Sequence, residues 1–435
     1  MKLACQLASL EVPSKNEVKR YLPIRNKGNK FMWKSIAGDV LAHAMGHQIK
    51  AFNFQEFESR CKVYFDQTCG PNLWPTLERT YFSNRESLLR LDPRFSFLSV
   101  ASPRQSGAKA NARMASIFKD LLGSKRLTDM APPSLNFIEL KILDQVNELL
   151  RAQANEERRL SYLPFLEATF QGDLRFLSHH PRYLLEQFEE FLKLYAMSYS
   201  AQLALNVKNF REEPRSRNLY FILASEKAGS ERVHVTEDGM RLLRSSLASV
   251  FPVLSMAEAV QANSDNKELL PLWMFYQRLR QLPSREAVVE ALNRYSALFA
   301  EKRKVAPPAP ADSLESALEN LIKIALDQFD DSTREGVNKK YVGQFEEHVF
   351  QDFTQSRGRA GKVLVLTQDQ LLLITNLVVG DESKLWFKDV LAGFEARGIF
   401  LDKRSEMALV EFYERIGNVE RRSDSGDAIY ITKTL

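Results

Sequence analysis

Cysteine is scarce: the 435-residue chain holds three, Cys5, Cys61 and Cys69. An odd, sparse set excludes a disulfide framework and fits a reducing cytosol. No stretch approaches the ~18 consecutive apolar residues that a membrane-spanning helix needs, so no membrane role is expected. The opening MKLACQLASLEVPSKNEVKR is basic with a short apolar patch, but glutamine and serine interrupt it and no signal-peptide core results. Internal repeats and long low-complexity tracts are absent. So are a Gly-x-Ser-x-Gly elbow, a Rossmann fingerprint, an EF-hand loop and the kinase motifs.

What is present is ordinary globular composition, 44% hydrophobic and 26% charged, enough for a sizeable core and two or three domains. The net charge of +5 conceals an asymmetry. Residues 1–50 carry nine Lys/Arg against three Asp/Glu, whereas residues 313–435 carry sixteen against twenty-one. A polyanion is therefore drawn to the N-terminal part first, because phosphate neutralisation supplies most sequence-independent affinity.

The clearest boundary is KRKVAPPAPADS (302–313), whose prolines cannot propagate a helix and favour an extended spacer. Asp312 and Glu315 then have capping-box spacing before the helical stripe Leu314, Leu318, Leu321, Ala325. Upstream the pattern is mainly helical. Residues 135–153 align Ile138, Ile142, Val146 and Leu149, and residues 182–205 align Leu184, Phe188, Phe191 and Leu192. NLYFILAS (218–225) reads as a buried strand or a core helix turn, and SPRQSGAKANAR (102–113) as a basic surface loop.

Residues 362–435 give the sharpest pattern. KVLVLT is β-rich; Thr367 and Gln370 form a capping box; Leu371, Ile374, Leu377 and Val378 follow at helical spacing, closed by Gly380. KLWF is a short strand, and a helix spans about Lys388 to Arg397. Asp402 caps a third helix with Ala408, Leu409, Phe412, Tyr413 and Ile416 inward. VERR, SDSGD and AIYI then read as strand, turn, strand, with Asp424 and Asp427 as turn formers around Gly426. This is winged-helix order, a unit able to fold alone. The predicted fold class is mainly α: a helical region over 1–301, divisible near 102–134, a linker at 302–312, a helical connector at 313–361 and a winged helix at 362–435.

Chemistry is harder to find. GRAGKV (358–363) fails as a phosphate loop: Ser356 stands where the first glycine belongs and Val363 where Ser/Thr would meet magnesium. The preceding EEHVFQDFTQS reads as helix rather than strand. In HAMGH, His43 and His47 sit one helical turn apart, but Ala44 replaces the glutamate of a zinc-protease helix. Cys61 and Cys69 are too far apart for a tight knuckle. His179 and His180 merely open a long helix. No catalytic residue, metal or cofactor is therefore expected.

Two stretches carry a resemblance. YLPIRNKGNKFMWKSIAGDVLAHAMG (21–46) resembles the N-terminal signature of the DptG (DndG) family of bacterial phosphorothioation-dependent DNA restriction. KLWFKDVLAGFEARGIFLDKRSEMALVEFYERIGNVERRSDSGDAIYITKTL (384–435) resembles its C-terminal end, FYERIGNVE and SDSGDA most specifically. The resemblance implies a cytoplasmic, non-catalytic antiviral-defence subunit. It would scaffold an ATPase or NTPase and a HerA/FtsK-like translocase, with DNA as a further partner.

On that reading Arg25, Lys27, Lys30 and Lys34, joined by Arg104, Lys109 and Arg113, are the first phosphate contacts. Lys403, Arg404 and Ser405 of the third helix, and Arg421 and Arg422 of the wing, come second. Residues 362–435 hold ten Lys/Arg against twelve Asp/Glu, which favours a winged helix used for protein contact. The alternatives are a sequence-specific winged-helix regulator, opposed by the acidic third helix, and a metal-dependent nuclease or hydrolase.

Overall fold

A computed structural model describes residues 10–49, 54–100, 107–128, 130–132, 134–152, 159–227, 232–262, 269–330, 333–421 and 429–435. It is mainly helical with small sheets. In chain order the principal elements are α1 (Trp33–Ala44), β1 (His47–Ile49), α2 (Phe54–Cys69), α3 (Ala108–Leu122), α4 (Phe137–Asn147), β2 (Leu150–Ala152), α5 (Pro164–His179), α6 (Pro181–Asn206) and β3 (Tyr220–Leu223). There follow α7 (Leu242–Ala259), α8 (Leu272–Arg280), α9 (Arg285–Arg303), α10 (Leu314–Asp327), α11 (Thr333–His348), β4 (Thr354–Ser356) and β5 (Lys362–Leu366). The chain closes with α12 (Gln368–Val379), β6 (Lys384–Trp386), α13 (Phe387–Ala396), β7 (Phe400–Leu401), α14 (Lys403–Ile416), β8 (Val419–Arg421) and β9 (Ile429–Thr432). Short helical turns fill 74–99 and 233–241.

α6 is the central post. Leu184, Phe188, Phe191 and Leu192 are buried as their spacing predicts, and its second half is buried nearly throughout, including the polar Ser198, Ser200, Gln202 and Asn206. α5, α7 and α12 pack against it. One continuous apolar core runs from Leu10 to Ile431 and takes in Leu409, Phe412 and Tyr413 of α14. Deep burial of that many large side chains is the dominant stabilising term.

Three sheets are present among the described residues: β1-β2, β4-β5-β3-β7 and β6-β9-β8. NLYFILAS resolves as a strand. Phe221, Ile222 and Leu223 of β3 are buried, as the middle of a two-sided sheet requires. β3 runs parallel to both β5 and β7, so residues 220–223 lie between two strands drawn from beyond residue 361. β6, β9 and β8 pair antiparallel, Leu385 and Val419 both opposite Ile431.

Several local expectations hold. Thr367 and Gln370 form the capping box of α12, and the Asp402 carboxylate accepts from Ser405 N–H at 2.9 Å to cap α14. Others change. The cap of α10 is Ser313, accepting from Ser316 N–H at 3.2 Å, not Asp312. Residues 108–113, expected as loop, are the first turns of α3; the Ala-rich AKANAR favours helix once Gly107 turns the chain at φ 85°. Ile416 is exposed rather than inward, because α14 ends there. α11 stops at His348 and β4 follows, so GRAGKV closes a β4–β5 hairpin instead of following a helix. His43 ends α1 while His47 opens β1, so the two do not share a helix face.

The Pro/Ala connector lies along the helices it joins. Asn293 of α9 bonds Ala311 through both its N–H (2.9 Å) and its carbonyl (2.8 Å), and α9 packs against α10.

Candidate nucleic-acid interface

Two groups of cations were marked by the sequence, and the fold treats them differently. The N-terminal group stands on a strap fixed from below. Val18, Leu22 and Ile24 are buried, and the Glu258 carboxylate accepts from the backbone N–H groups of Lys19 (2.8 and 2.9 Å) and Arg20 (2.8 Å). Tyr21, held at φ 65°, donates its hydroxyl to Leu269 O at 2.8 Å, and Tyr199 donates to Tyr21 O at 3.1 Å. The strap therefore leaves the body at Arg25 in one defined direction.

Residues 25–29 then form a tight loop around the Asn29 amide. Asn29 Oδ1 accepts from Arg25 N–H at 2.7 Å and Asn29 Nδ2 donates to Arg25 O at 2.6 Å; Gly28 turns the chain at φ 73°. The same Nδ2 donates to Gln344 of α11 at 2.8 Å, and Arg113 of α3 donates to Asn29 Oδ1 at 3.1 Å and Gly28 O at 3.3 Å. Arg25 lies against the Tyr341 hydroxyl, which also feels Arg113. Tyr341 is itself stacked on Phe251 with ring centres 4.1 Å apart. Strap, α3 and α11 thus bring Arg25 and Arg113 into mutual electrostatic range. Burial, then the Arg25 charge, push the Arg113 pKa down.

Lys27, Lys30 and Lys109 are exposed around this pair. Among the described residues, none of these five cations makes a salt bridge with a carboxylate, and the Nε of Arg113 is buried without an acceptor. Lys34 differs: it pairs with Glu86 at 2.6 Å on the surface, so part of its charge is already cancelled. Arg104 lies outside the described residues.

Part of the C-terminal group is neutralised from within. Lys403 pairs with Glu406 at 2.7 Å, Lys384 with Glu420 at 2.5 Å, and Arg421 with Glu414. Arg404 is exposed near the start of α14. Ser405, expected as a contact, is wholly buried. It accepts from Arg232 Nη2 at 2.7 Å and donates to Glu226 at 2.7 Å, while Arg232 also grips Asp402. This network fastens the N-terminus of α14 to the end of β3 and the segment before α7. Arg422 and the SDSGD turn lie outside the described residues.

A second buried ion pair fixes α13. Arg397 donates Nε to Asp173 Oδ2 at 2.9 Å and Nη2 to Oδ1, and Tyr195 donates to Asp173 Oδ2 at 2.5 Å. Sequence reasoning missed both networks. Their members are 224 and 170 residues apart, and no local pattern marks them.

The residues weighed for chemistry are scattered. His43 is buried; desolvation and the nearby Lys119, Arg126 and Arg159 hold its pKa down to about 3, so it is neutral. Cys61 is buried and its thiol pushed up to about 12, whereas Cys69 is exposed. Among the described residues no three His, Cys, Asp or Glu side chains are arranged to hold a metal ion. No described helix is long and apolar enough to cross a membrane. No protein-family model matches the chain, and no curated protein matches it.

Proposed function

We propose that the chain is a non-catalytic subunit of a bacterial phosphorothioation-dependent DNA restriction complex. It would hold an NTPase and a HerA/FtsK-like translocase while touching DNA through its N-terminal part. Segments 21–46 and 384–435 support the family reading. We read α12, β6, α13, α14, β8 and β9 as a winged helix. The order of these elements, interrupted only by the two-residue β7 that pairs with β3, and the sheet order β6-β9-β8 support this.

The observation that carries the division of labour is charge pairing. Three cations of the C-terminal unit, Lys403, Arg421 and Lys384, are matched by its own carboxylates at Glu406, Glu414 and Glu420, which leaves less for phosphates. Ser405 is buried and Asp402 gripped by Arg232, so α14 does not enter a major groove by its N-terminus without breaking that network. The unit is thus suited to protein contact. Its exposed Trp386 and Met407 are, with Ile416 and Leu435, apolar groups available for it.

Co-expression with an NTPase and a HerA/FtsK-like translocase of such a restriction system tests the proposal. A stable complex is expected, and Trp386→Ala with Met407→Ala should weaken it at least tenfold. A chain that purifies free of both partners, in a system that restricts DNA without it, would overturn the reading.

A further inference from the structure

We infer that Arg25 and Arg113 form a paired guanidinium clamp for the phosphate backbone of duplex DNA, with Lys27, Lys30 and Lys109 extending it. The inference rests on the DNA-directed part of the proposed function and gives it a place on the molecule. Two half-buried guanidinium groups are brought together by three separate elements: the 25–29 loop, α3 and α11. Like charges held this way repel, and Arg113 is further penalised by burial. A fold ordinarily answers such a pair with a carboxylate. The acidic neighbour, Glu258, already accepts three hydrogen bonds from the Lys19 and Arg20 backbone. Arg113 instead spends its Nη groups on carbonyl and amide oxygens, and its Nε has no acceptor. The buried Nε is closed to solvent, and an incoming anion meets the exposed Nη edge.

The ligand class follows from the donor type. Guanidinium forks match phosphate oxygens bidentately and remain charged at any working pH. The loop is braced by Asn29, Gln344 and Tyr341, so ordering it costs little on binding. Its five cations outnumber the acidic neighbour, Glu258, which suits a regular polyanion better than an acidic peptide of mixed composition. Nothing in the cluster is placed to read base edges, so the contact is independent of sequence.

Fluorescence anisotropy of the full chain with two unrelated ~30-base-pair duplexes, over roughly 50 to 200 mM salt, tests the clamp. Both duplexes should bind equally. Arg25→Gln with Arg113→Gln should weaken both on the order of tenfold and lower the log–log salt slope by about two. Lys27→Gln with Lys30→Gln, two exposed side chains without hydrogen bonds among the described residues, should act in the same direction with the fold untouched. The clamp is refuted by no duplex binding at the lowest salt, by variants that bind as the parent does, or by tighter binding to phosphatidylserine vesicles or polyglutamate than to DNA. Lost DNA affinity with the partner complex intact confirms the clamp. A DNA-binding chain that ignores both partners sinks the restriction reading alone.

Discussion

Removing Arg397 should cost more than any surface change in this protein, for a reason visible in the geometry. Its guanidinium reaches Asp173 through two parallel bonds, donates Nη1 to Gly393 O at 2.6 Å, and is 5% exposed, as is Asp173. Arg397→Met leaves a buried carboxylate whose remaining partner is the Tyr195 hydroxyl. An uncompensated buried charge costs about 3–5 kcal/mol. Asp173→Leu should cost as much from the other side, with a further ~1–3 kcal/mol because Tyr195 loses its acceptor. The double variant should cost less than the sum and no more than the worse single change, because no stranded charge remains. Urea unfolding followed by circular dichroism and tryptophan fluorescence gives the three values. Because the pair joins α13 to α5, hydrogen exchange in residues 384–435 should accelerate first. A single variant losing under about 1 kcal/mol, or strictly additive singles, would refute the claim that this pair locks the C-terminal unit to the body.

Three further outcomes follow. Asp120 is buried, and desolvation outweighs Arg20 and Arg159 to raise its pKa to about 6. A carboxyl raised on folding adds stability at low pH that is lost as pH climbs through 4 to 6. Acidifying from pH 7 to pH 5 should therefore stabilise the parent relative to Asp120→Asn by about 1 kcal/mol, read from urea midpoints; an equal response in both disproves it. Arg232→Met leaves Glu226 and Asp402 facing each other with little solvent, and should lower stability by about 3 kcal/mol in thermal melts; an unchanged melting temperature contradicts it. Lys403→Gln should change duplex affinity less than about twofold, since its charge is already answered by Glu406; a tenfold loss would return α14 to the DNA interface.

Much of the local structure was legible in the residues. Thr367 with Gln370, and Asp402, mark helix starts because a side-chain oxygen three residues from a free N–H is a short-range arrangement. The stripe on α6 was legible for the same reason: burial of one face leaves a 3.6-residue period. Errors cluster where a local signal was overruled. The first turns of α3 read as loop because Gly, Ser and basic residues outvoted AKANAR. The α11–β4 break was hidden because nothing between His348 and Thr354 is a strong breaker. The cations of the candidate interface were legible as residues, but their standing was not. Lys30 and Lys34 look alike in sequence, yet Lys34 meets Glu86, 52 residues on.

By itself, then, the sequence determined the helical character, most elements of the last seventy residues with β7 missed, and the part of the chain richer in positive charge. These depend on spacing and composition. The tertiary structure alone decided that β3 lies between β5 and β7, that Arg232 and Asp173 hold the C-terminal unit in place, and that Asn29 and Gln344, 315 residues apart, bring Arg25 beside Arg113. Those contacts join segments with no shared local pattern. Which partner each charge finds is fixed only when the chain has closed around its core.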